Sequence, residues 1–68
     1  MSSVARVTEI SARSSKSFDD AIKLGLERAT KTLRNVSSAW VKEQRIEIKK
    51  GTITGYQVNL LITFVLED

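Results

Sequence analysis

The residues best equipped for chemistry cluster in the second half of the chain. Trp40, Glu43, Gln44, Arg45 and Glu47 lie close together, and Gln57 and Asn59 follow after a turn. The Trp40 ring offers either an apolar anchor between subunits or a flat π-platform, where offset stacking contributes ~0.5–1.5 kcal/mol beyond burial. Arg45 suits a salt bridge to Glu43 or Glu47, or bidentate contact with an anion such as phosphate. The Gln57 amide presents a donor and an acceptor together. That pair can hold a neighbouring subunit or an ordered water, or read a ligand. Glu43 and Glu47 could contribute to a calcium site only with oxygens from several chains, since calcium takes about six to eight of them.

Catalysis has little to build on. The chain has no His and no Cys, so the usual neutral-pH base and the strongest nucleophile are missing. Disulfides and the common zinc frameworks go with them. No spacing suggests a Ser-Lys or carboxylate mechanism, and a binding protein is expected rather than an enzyme. Eleven Lys and Arg against eight Asp and Glu give a net charge of +3. The basic residues are dispersed, with Lys49-Lys50 a typical short run, which is the pattern of a solvated surface. A nucleic-acid-binding sheet would want several exposed aromatics, yet Tyr56 and Phe64 share the buried parity of their strand and leave only Trp40. No partner nucleic acid is expected. No apolar stretch approaches the length of a membrane span and no signal-peptide core opens the chain, so a soluble, cytoplasmic protein without membrane contact is expected.

The elements that must position these residues are legible. With 68 residues, the chain fits one domain, 1–68, whose own core is marginal. Association is then the remaining route to stability. Met1 to Ser3 read as a frayed start. Val4 to Ser11 is rich in β-branched residues and predicts a first strand, and Ser11 to Ser17 a connecting turn. Ser17 is an N-cap candidate, with Asp19 and Asp20 in the first turn. Phe18, Ile22, Leu26, Ala29 and Leu33 recur at helical spacing, predicting one amphipathic helix over Phe18 to Asn35. Gly25 lies in its apolar stripe, where either close approach of a strand explains it or it is a tolerated defect.

Ala39 to Lys49 predicts a second strand. Its parity changes between Val41 and the pair Ile46 and Ile48, which calls for a bulge or sharp twist near Gln44-Arg45. Lys50-Gly51 supplies a turn. In the last strand Tyr56, Val58, Leu60, Ile62, Phe64 and Leu66 alternate without a break and should face the helix, while Gln57, Asn59, Leu61, Thr63, Val65 and Glu67 face away. Thr54 to Leu66 would span ~40 Å against ~27 Å of helix. The overhang and the apolar part of the second face need cover from another subunit. The fold class is α+β: a β-α-β-β chain with a three-stranded antiparallel sheet packed on one helix.

In this order and spacing the chain resembles the dodecin family over essentially its whole length. The resemblance rests on Val7-Thr8-Glu9-Ile10, on Ser17-Phe18-Asp19-Asp20-Ala21-Ile22 opening the helix, and on Thr32-Leu33-Arg34-Asn35 closing it. It continues through Val41-Lys42-Glu43, Tyr56-Gln57-Val58 and Phe64-Val65-Leu66-Glu67. It implies a hollow homododecamer built from trimers, and binding of riboflavin or flavin mononucleotide (FMN) in stacked pairs between tryptophans. By the same resemblance Gln57 would meet the flavin's pyrimidine edge and Arg45 the phosphate of FMN. Glu43 and Glu47 match acidic positions near the ribityl chain and a pore. The stacking tryptophan would fall at position 38, where this chain has Ser38. Trp40 comes two residues later, on the same strand face but ~6–7 Å along it. The cofactor-binding set implied is therefore Gln57, Trp40, Arg45, Ser38, Glu47 and Gln44. A branch of the family without that tryptophan is similar around Ala39 to Gln44 and points instead to a flavin-free shell for calcium or another small ligand.

Overall fold

A computed structural model describes residues 2–66. The expected place of Glu67 on the outer sheet face and the expected fraying of Met1 lie outside the described residues. The elements run β1 (Ala5–Ser14), α1 (Phe18–Thr32), β2 (Val36–Lys49) and β3 (Thr52–Val65), in the predicted β-α-β-β order. All pairings are antiparallel and the sheet order is β1-β3-β2, so the last strand is the central one.

Local chemistry sets the helix start. The Ser17 hydroxyl accepts from the Asp20 backbone N–H at 3.0 Å, satisfying a donor that has no helical partner. The Ser14 hydroxyl, buried, donates to the Asp20 carboxylate at 2.6 Å and accepts from the Lys16 N–H. That bracket ties the end of β1 to the helix, and it explains why β1 runs to Ser14 rather than stopping at Ser11. The helix ends at Thr32, three residues early, because Leu33 is already extended and Asn35 is left-handed at φ 61°. Asn tolerates that region better than most residues. The chain reverses there and enters β2 at Val36, so Ser37 and Ser38 lie inside the strand instead of before it.

The core sits between α1 and the inner face of β3. Val58, Leu60 and Ile62 are fully buried, against Ala21, Gly25 and Ala29 of the helix. The period-2 pattern predicted this stripe, but its ends fade: Tyr56 and Phe64 are half-buried and Leu66 is exposed. Gly25 is where the helix closes on the sheet. A Cβ there would stand 3.1 Å from both Ala12 Cβ and Leu60 Cδ1. Phe18 and Tyr56 close one end of the core edge-to-face, with ring centroids 5.1 Å apart.

The parity change in β2 is real, but the shift lies between Val41 and Glu43, earlier than predicted. Lys42 is the extra residue. The bulge puts Val41 opposite Leu60 and Ile46 opposite Tyr56, on one face. Further shifts fall at Val36/Ser38 and Glu47/Ile48. Lys50 and Gly51 both have positive φ, the signature of a type I′ hairpin turn.

The helix packs on β1 and β3. Val41, Ile46 and Ile48 of β2 remain exposed, as do Val7, Leu24, Trp40 and Ile53. The subunit measures 52 × 19 × 14 Å with a radius of gyration of 14.1 Å. A compact chain of this length would have a radius of gyration of about 11 Å. So elongated a subunit with so much apolar surface has the form of a part rather than a whole.

Candidate functional site

The outer face of the sheet, away from the helix, carries the predicted residues in rows across all three strands, except Gln44, whose place opposite the core residue Val58 puts it on the helix-side face. Cα register places Glu9, Leu61 and Trp40 in one row, Ser11, Asn59 and Glu43 in the next, and Arg13, Gln57 and Arg45 in the third. Glu47 follows opposite Gly55, and Ser38 precedes opposite Thr63. Alternation along extended backbone makes these rows. The Lys42 bulge keeps them aligned, since without it Glu43 and Trp40 would point to opposite faces.

Gln57 is held from both sides. Its Oε1 accepts from Arg45 Nε at 3.1 Å, and its Nε2 donates to Ser11 Oγ at 2.8 Å. A primary amide has two N–H donors and two lone pairs, so one of each is left for a ligand. Asn59 donates to Glu43 Oε1 at 3.1 Å. Glu43, Gln44, Arg45, Gln57 and Asn59 line an open hollow of about 170 Å³. Sites for molecules of cofactor size enclose about 300 Å³ or more, so the hollow of a single subunit is smaller than such a site.

Arg45 does not pair with Glu43 or Glu47 within the subunit; among the described residues the ion pairs are Arg13–Glu47 and Lys42–Glu9. The Arg45 guanidinium is thereby open to an anion. Glu47 is instead engaged by Arg13 Nε at 2.6 Å, above Gly55. Trp40 is 58% exposed and stands a row beyond Glu43, opposite Leu61. Ser38 shares its face, opposite Thr63. Trp40 and Ser38 do not line the hollow that Gln57, Arg45 and Gln44 share. Two polar atoms of this face, Asn59 Oδ1 and Thr63 Oγ1, are buried with no hydrogen-bond partner. Such atoms are costly unless something further bonds them.

For calcium the donors are sparse. Among the described residues no three Asp or Glu side chains come together, and Glu43 and Glu47 each have a protein partner. Among the same residues, no helix is long and apolar enough to cross a membrane. Sequence reasoning missed Ser11 and Arg13. Ser11 fell at the end of a predicted strand and Arg13 in a predicted turn; carrying β1 on to Ser14 in odd-even alternation would have put both on the outer face.

The fold has counterparts among known proteins. The dodecin family model matches residues 4–67. A dodecin of Thermus thermophilus is 37% identical over 68 residues, covering 100% of this chain and 99% of the relative. The solved dodecin of Streptomyces davaonensis superposes with a TM-score of 0.91 at 34% identity, covering all of both chains. A calcium dodecin of Mycobacterium tuberculosis, described as calcium-chelating with a novel calcium-binding site, superposes with a TM-score of 0.81 at 27% identity, over 96% of this chain and 93% of that one.

Proposed function

The chain belongs to the dodecin family, and on that premise we propose that it is a non-catalytic flavin-binding protein that stores or sequesters riboflavin or FMN inside a homododecamer built from trimers. The observation that carries the reading is the Gln57 amide. It is held between Ser11 and Arg45 with one donor and one acceptor still free. An isoalloxazine pyrimidine edge alternates N–H and C=O, and meets such an amide with complementary hydrogen bonds. Arg45, which has no carboxylate partner among the described residues, supplies the charge for the FMN phosphate. Trp40, exposed on the same face, supplies an aromatic surface from its own or a neighbouring subunit. Gln44 lines the hollow, and Glu47 holds Arg13 beside it. Ser38 leaves the place of the family's stacking ring without an aromatic, so binding is weaker than in members that have one. The small hollow fits a site completed by several copies.

Titration of the assembled protein with riboflavin and with FMN, followed by quenching of flavin fluorescence, tests this reading. Quenching by wild type that is lost in Trp40→Ala and Gln57→Ala is the expected result. No quenching of either flavin at high micromolar protein overturns it. The second reading, a flavin-free shell for calcium or another small ligand, is favoured by Ser38 and by the likeness to the calcium dodecin. Calorimetric titration with calcium separates the two.

A further inference from the structure

Gln57 has an arginine as its direct neighbour on each side: Arg13 on β1 and Arg45 on β2. A guanidinium only donates, so either arginine could draw the Gln57 Oε1, and the two choices would present the amide to the open face in opposite senses. The structure resolves the choice twice over. Glu47 takes the Arg13 guanidinium, which also donates to the Thr54 carbonyl at 3.3 Å. That leaves Arg45 as the donor to Oε1. On the other side Gln57 Nε2 passes over the arginine opposite and reaches diagonally to Ser11 Oγ at 2.8 Å. Diagonal neighbours across antiparallel strands lie about 7–8 Å apart, within reach of a long amide side chain.

We propose that Ser11 is a positioning residue of the ligand site: by accepting from Gln57 Nε2 it anchors the amide whose sense Arg45 sets, and so holds it in place to read one edge of a planar ligand. This rests on the flavin reading for the identity of the ligand, but not for the hold on the amide. Ser11 itself need not touch the ligand. Without its hydroxyl, Nε2 would face a row whose β1 member is another donor, and the amide would be held by Arg45 alone.

Gln44 and Gln57 are the two glutamines of the chain, so glutamine-selective 15N labelling gives two side-chain amide signals that Gln44→Asn assigns. In Ser11→Ala the Gln57 amide signals should move toward solvent-exposed positions and exchange faster. Riboflavin affinity should fall about fivefold, as for one lost neutral hydrogen bond. Ser11→Thr, which keeps the hydroxyl, should restore both, with the melting temperature of the assembly close to wild type in both Ser11 variants. Unmoved Gln57 amide signals in Ser11→Ala overturn the proposal, whether or not flavin binds. Moved signals with unchanged riboflavin affinity also overturn it, because Ser11 would then be structural only. If wild type binds no flavin, the flavin reading fails separately, and the amide signals alone decide whether Ser11 anchors the amide.

Discussion

Arg13 of β1 and Glu47 of β2 meet across the central strand, Nε to Oε1 at 2.6 Å, directly over Gly55 of β3. A side chain at that position would block the path. A Cβ on Gly55 would lie 2.5 Å from Arg13 Nη2 and 2.6 Å from Glu47 Oε1. The glycine is buried because the ion pair covers it. The same pair withdraws Arg13 from Gln57.

Gly55→Ala should therefore displace the ion pair at a small cost. Arg13 is half exposed and Glu47 about a third exposed, and both blocking groups are flexible ends, so the loss should be no more than about 1 kcal/mol. A double-mutant cycle on thermal unfolding checks it: Gly55→Ala should lower stability in wild type and have almost no effect in Arg13→Ala. Equal losses in the two backgrounds would mean that the glycine serves something other than the pair.

Enlarging Gly25 should cost more, because its neighbours cannot step aside as easily. Ala12 Cβ and Leu60 Cδ1 already stand 3.1 Å from where a Cβ would be. Gly25→Val should destabilise by about 2 kcal/mol or more through overpacking, despite relieving a helical glycine. A melting temperature at or above wild type would show that the helix can lift off the sheet freely.

Assembly should depend on the inner face of β2 that the helix leaves open. Val41→Asp places a carboxylate on that face, where Val41 is 46% exposed in the lone subunit. If a second copy covers the face, burying an unpaired charge costs several kcal/mol. Light scattering should then show the mutant dissociated at low micromolar concentration, with wild type remaining a large assembly. A stable, folded wild-type monomer of 7.6 kDa would refute the oligomeric reading.

Arg45→Ala should separate the two flavins. Loss of a charge-assisted phosphate contact, worth ~1.5–3 kcal/mol, weakens FMN about tenfold or more. Riboflavin has no phosphate, but Arg45 also holds Gln57 Oε1 at 3.1 Å, so it should lose a smaller factor of about three to five. Fluorescence titrations at low salt measure both. Equal losses would rule out the phosphate contact and leave only the hold on Gln57.

The sequence by itself determined what depends on near neighbours and on period. The helix start was legible because Ser17 caps a backbone N–H three residues away. The core stripe was legible because Val58, Leu60 and Ile62 alternate on one face of an extended strand, and the hairpin turn because Lys50-Gly51 marks it. Tertiary structure decided what depends on pairing between distant residues. That β3 is central, that Lys42 rather than Gln44-Arg45 is the bulge, and that β1 reaches Ser14 all follow from which cross-strand partners meet. The same holds for the site. Gln57 was recognisable as a donor–acceptor pair from its chemistry alone. Its orientation was not, because the amide lies between Ser11, 46 positions away, and an arginine that Glu47 leaves free. A hydrogen bond constrains direction only once the fold has brought its two ends within about 3 Å, and no local pattern encodes that meeting.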